Sequence, residues 1–229
     1  MSKNFLEISP AELPATLPIF PLNGVLLMPR CHLPLNIFEP RYLHMVLDAL
    51  GNKRLIGLVQ PISSRADEED EQPPLYRVGC LGKITQFEET KDGRLQIVLQ
   101  GITRFEMEDE LPLSYRGYRM AMVKYGEYAQ DFLPDEGKGV PRDKLIQQVV
   151  DYASFKQLEL ERKSIETIPT HLLVDVLSMT LPFGTHDKQA LVESPHLDDR
   201  ARVLMGLMTM EMMGGDKLGL NMSNDSVKQ

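Results

Sequence analysis

At 229 residues, 42% hydrophobic and 25% charged, the chain can bury one large core or two small ones, which excludes wholesale disorder. With 33 acidic against 25 basic residues its formal charge is −8, so its surface as a whole repels nucleic acid and anionic membrane, and no run of Lys and Arg offsets this. Cys31 and Cys80 are too few for a disulfide framework, and no apolar leader or membrane-length run is present, so the expected setting is cytoplasmic and reducing.

Residues 1–14 carry interrupting acids and prolines and read as a flexible N-terminus, followed by a β-rich unit over 15–130. Leu17-Pro-Ile-Phe-Pro-Leu is extended, because Pro18 and Pro21 forbid a helix interior. Residues 25–28 read as a short strand stopped by Pro29, and residues 33–38 as another extended piece. Pro40 suits a helix start, Tyr42, Leu43, Val46, Leu47 and Leu50 recur at helical spacing, and Gly51 closes that helix as a residue past its end. Residues 55–59 form an apolar run of buried-strand length, and the acidic block 67–71 reads as an exposed loop.

Beyond it the period becomes two. Val78, Cys80 and Ile84 share one face; Leu95, Ile97 and Leu99 share the next, with Arg94, Gln96 and Gln100 opposed. Asp92-Gly93 predicts a hairpin with positive φ at both turn positions. Gly101 suggests a bulge before a strand over 102–107, and a last strand ends near Tyr125. Some six strands, mostly consecutive, suggest a partly closed barrel.

Residues 131–141, rich in Gly and Pro, read as a linker to a helical unit over 142–213. Leu145, Ile146, Val149, Val150 and Ala153 predict a helix continuing to about Glu161. Pro169 starts a second, carrying Leu172, Leu173, Val176 and Leu177, and residues 187–193 make a third. Leu197, Ala201, Leu204, Met205, Met208 and Met212 stripe a fourth, ended by Gly214-Gly215, after which 214–229 reads as a flexible tail.

Catalytic signatures are missing from the text. Gly82-Lys83 and Gly137-Lys138 lack the spacing of a P-loop, and there is no GxGxxG, GxSxG or HExxH. Cys31 and His32 are adjacent on an extended piece and point to opposite faces, so they cannot act as nucleophile and base together. The scattered histidines give no metal-ligand spacing, and neither metal nor cofactor is expected.

Leu17-Pro-Ile-Phe-Pro-Leu-Asn-Gly-Val-Leu-Leu-Met-Pro followed by Leu33-Pro-Leu-Asn-Ile-Phe-Glu-Pro-Arg-Tyr resembles the opening of the Lon N-terminal domain. Tyr76-Arg-Val-Gly-Cys-Leu-Gly-Lys-Ile, Asp92-Gly-Arg-Leu-Gln-Ile-Val-Leu-Gln-Gly-Ile-Thr-Arg-Phe and Asp187-Lys-Gln-Ala-Leu-Val-Glu-Ser follow in that family's order, with residues 200–204 after them. The resemblance implies an α+β fold, a PUA-like mixed β pseudo-barrel followed by an α-helical bundle. It also implies a part in recognising unfolded substrates; the ATPase and Ser-Lys protease parts of Lon are not carried over, so no enzyme is expected.

A barrel joined to a bundle creates a cleft, the expected seat of a ligand. Phe38, Arg41 and Tyr42, where a strand hands over to a helix, are candidate peptide-binding residues because aromatic and Arg side chains dominate binding hot spots. Met205, Met208 and Met212 are candidates because polarizable Met surfaces suit varied apolar sequences. The expected partners are unfolded polypeptides. The alternatives are an adaptor role on a separate protease or ATPase, RNA binding of the PUA-like kind, and a hydrolase built on Cys31.

Overall fold

Apolar alternation carries through to a six-stranded mixed sheet in the computed structural model, which describes residues 8–62, 72–133 and 135–222. The strands are β1 (Thr16–Pro21), β2 (His32–Ile37), β3 (Leu55–Val59), β4 (Val78–Glu89), β5 (Leu95–Leu111) and β6 (Arg119–Lys124). Their order is β2-β5-β4-β3-β1-β6, and β6 returns to pair with β5. The five strands β5, β4, β3, β1 and β6 therefore close a ring, with β2 appended at the edge. Among the described residues only β1 and β3 run parallel.

Strand β5 makes this geometry possible. At 17 residues it is long enough for Leu95–Gln100 to pair with β2 while Glu106–Leu111 pairs with β6, both from the same edge. The expected separate strand at 102–107 is thus continuous with the one before it. A register shift beside the Gly82–Gly101 pair and a second between Ile84 and Gln86 supply the bend that the closure needs.

Three local expectations are corrected. Residues 25–28 form no strand: Arg30 adopts φ 67°, its N–H donates to Gly101 and the Cys31 N–H donates to Met28, so the chain turns instead of pairing. At Asp92-Gly93 only Gly93 has positive φ (78°); the Gly93 N–H donates to Thr90 and the Thr90 N–H to Arg94, a type I turn with a glycine bulge. Gly51 is a right-handed cap, and the left-handed residue of that exit is Arg54.

The helices are α1 (Pro40–Leu50), α2 (Arg142–Phe155), α3 (Arg162–Glu166), α4 (Thr170–Thr180), α5 (Thr185–Glu193) and α6 (Leu197–Met222), with short 3-10 turns at Pro10–Glu12 and Gly126–Phe132. Helix α2 stops short of Glu161 in a Schellman motif: Gln157 takes φ 56° and donates to Ser154, and Leu158 donates to Ala153. Helix α6 runs through Gly214-Gly215, since glycine weakens a helix without ending it unless it turns left-handed. The acidic block 67–71, residues 1–7 and residues 223–229 lie outside the described residues.

Three cores follow. Leu17, Ile19, Leu81 and Phe105 sit in one; Phe20, Ile56, Ile84 and Leu99 in a second, on the opposite faces of the same strands, with α1 packed there. The third fills the bundle, and Leu26, Met28 and Cys31 from the segment before β2 reach into it.

Candidate functional site

The expected cleft between barrel and bundle is filled by polar contacts, and α5 is their hub. Gln60 donates to the Thr185 carbonyl and to Gln189 Oε1; Lys188 donates to the carbonyls of Gly24 and Met179; Gln189 donates to the Val78 carbonyl. Arg104, on β5 and buried, is spent completely. Nε and one terminal N bind the Asp131 carboxylate, and its remaining N–H groups cap the carbonyls of Val192, Ser194 and Pro195. Its guanidinium lies 4.3 Å from the Tyr128 ring centre. Arg200 pairs with Asp175 at 2.7 Å and also reaches Leu191 and Ser194.

Burial pushes the Asp175 carboxyl above its ordinary value and the Lys188 ammonium below its own. The remaining space at this junction is about 200 Å³, lined by residues such as Arg30, Asp131, His171, Asp175 and His196. Two of its carboxylates are committed, Asp131 to Arg104 and Asp175 to Arg200. Hydrophobic periodicity could not reveal Arg104 or Lys188, because buried ions interrupt the very pattern that marks a core.

The six predicted residues divide. Phe38 is open, 61% exposed, with the Arg94 guanidinium 5.8 Å from its ring centre across the β2–β5 pair. Arg41 binds Glu39 at 3.0 Å and lies 4.8 Å from the Tyr42 ring centre. Tyr42 itself is a core residue, its ring 4.4 Å from that of Phe20. Met208 is a core residue of the bundle, whereas Met205 and Met212 are half-buried. Tyr42 and the methionines belong to different cores, and the structure does not bring the barrel trio and the methionines together.

Met205 and Met212 do share a site, on the outside of the bundle. With Met210, Gly206 and Thr209 of α6 and Lys144, Gln147, Gln148 and Asp151 of α2 they line an open groove of about 640 Å³. Met210 and Met213 are 70% and 67% exposed. The α2 half was missed from sequence: Lys144, Gln147, Gln148 and Asp151 recur at helical spacing, but a polar stripe reads as a solvated face. Neither cysteine lines the groove. Burial pushes the Cys31 thiol up to about 12, helped by Asp175, and Cys80 is raised by burial as well.

A family model described as "ATP-dependent protease La (LON) substrate-binding domain" matches residues 16–210. The chain is 27% identical over 222 residues to the Lon protease of Flavobacterium johnsoniae, covering 90% of this chain and 25% of that protein. Against the Lon protease of Rhizobium meliloti it is 24% identical over 216 residues, with 90% and 25% covered. It therefore spans about a quarter of the length of these curated relatives.

Two solved structures share the fold. A Lon N-terminal domain protein from Xanthomonas campestris superposes with a TM-score of 0.60 at 21% identity, over 83% of this chain and 97% of that one. The N-terminal domain of Mycobacterium avium complex Lon protease does so with 0.60 at 12% identity, over 85% and 98%.

Proposed function

The chain belongs to the Lon substrate-binding domain family, and on that premise we propose that it is a non-catalytic module that captures unfolded polypeptides in a cytoplasmic setting. The observation that carries the reading is the α2–α6 groove, where flexible thioethers stand open beside amide and hydroxyl groups. Met side chains reshape to unlike apolar sequences, while Gln148 and Thr209, bonded to each other and to the Met205 carbonyl, hold the floor of the channel. Phe38 beside Arg94 provides a second, smaller contact on the barrel. The committed ion pairs of the junction, the raised thiols and the acidic surface all favour protein over nucleic acid or a covalent chemistry.

Fluorescence-anisotropy titration with reduced, carboxymethylated α-lactalbumin tests this. Saturable micromolar binding is expected, weakened roughly tenfold by Met210→Lys, which places a charge in the groove. Phe38→Ser should cost less. Absence of binding at high micromolar concentration would rule the reading out.

A further inference from the structure

Helices α2 and α6 lie side by side and point the same way. Gly139, just before α2, abuts Asp198 at the start of α6; Gln148 donates to the Met205 carbonyl and to Thr209; Tyr152 and Lys156 both reach Glu211. Parallel neighbours align their dipoles unfavourably, so the open face of this pair favours a partner running the opposite way. The charges on that face say which partner. Lys144 and Asp151 lie seven residues apart on one side of α2, about 10 Å along its axis. Among the described residues neither makes an ion pair; the Asp151 carboxylate accepts only from Gln147 of its own helix.

A second observation sits midway. Gly206 is exposed inside α6, level with Gln148, and a Cβ built there would meet nothing within 4 Å. Among the described residues nothing calls for glycine at this position, where it weakens the helix. A small residue there admits close approach of another backbone.

We propose that the occupant of this groove is a second copy of the chain, docked about a two-fold axis that crosses α2 near Gln148 and α6 near Gly206. The axis sets each α2 antiparallel to its partner, so Lys144 of each copy meets Asp151 of the other and the complementarity is satisfied twice. The methionines of both copies cover one another. The proposal rests on the reading of the groove as the client site and deepens it: self-association closes the groove, and a client must displace the second copy.

Sedimentation equilibrium tests the pairing without any client. Wild type should show a reversible monomer–dimer equilibrium. Lys144→Asp or Asp151→Lys alone should weaken it about tenfold, since each turns two attractions into two repulsions. The double exchange K144D/D151K should restore it, and Gly206→Leu should abolish it while thermal unfolding shows the monomer at least as stable as wild type. No concentration dependence of mass, single reversals without effect, or a double exchange that fails to recover would each overturn the proposal. Carboxymethylated α-lactalbumin then separates the two readings. It should convert wild-type dimer to a one-to-one complex. Self-association that client cannot reverse overturns the competition, whereas client binding by a chain that never dimerises overturns the second copy alone.

Discussion

Arg104 shows how much one side chain can hold. It joins strand β5 to Asp131 and to the carbonyls that end α5, with every guanidinium N–H engaged. Arg104→Ala strands a buried carboxylate and three carbonyls, and should cost about 3–5 kcal/mol in urea denaturation. Arg104→Lys should recover little, because an ammonium cannot reproduce the fork. The thiols give a pH prediction. The Cys31 thiol titrates near 9.0 when free and near 12 in the fold. The folded state therefore holds its proton more tightly, and the stability this contributes is full below pH 9 and lost as pH rises toward 12. Cys80, raised in the same direction, steepens the loss. Urea midpoints should fall across that window, less so in Cys31→Ala. At pH 8 neither native thiol should react with Ellman's reagent on the timescale of the unfolded chain.

Two glycines distinguish elements built for the fold from one that is not. At Gly101 an added Cβ would lie 2.0 Å from the Met28 carbonyl oxygen, where the turn before β2 crosses the bulge. Gly101→Ala should destabilise by about 1–3 kcal/mol or prevent folding. Gly206→Ala should instead raise the thermal midpoint, by up to about 1 kcal/mol of helix propensity, when measured at dilution. The contrast bears on what could be read in advance. Strands β3, β4 and β6 and helices α1, α4 and α5 were legible because apolar period and Pro or Gly punctuation agree there, whereas β5 was read as two strands parted at Gly101. Residues 25–28 were misread because their apolar side chains feed two cores from a turn, which alternation alone cannot separate from a strand. The left-handed Gln157 ending α2 carries no composition signal. Of the candidate site, Met205 and Met212 were placed by the stripe, whereas Tyr42 and Met208 obeyed the commoner rule that apolar stripes face inward.

At the scale of the whole chain, barrel and bundle are joined by charge and amide contacts buried on α5. Such contacts are lost together, so far-UV circular dichroism and hydrogen exchange of the barrel amides should report one unfolding transition. In Arg104→Ala the helical signal should fall at lower urea than barrel protection, because the bundle loses its anchor while the ring keeps its own pairing. That ring has a consequence for the proposed capture of unfolded chains. Because β5 lends one edge to both β2 and β6, the barrel consumes the hydrogen-bonding rims of its strands, leaving β2 as the outlying one, and there Pro34 has no N–H to give. On that reading a sticky client would be offered side chains to rest on and little backbone to join, which would keep capture reversible and spare the host from being zipped into its guest's aggregates.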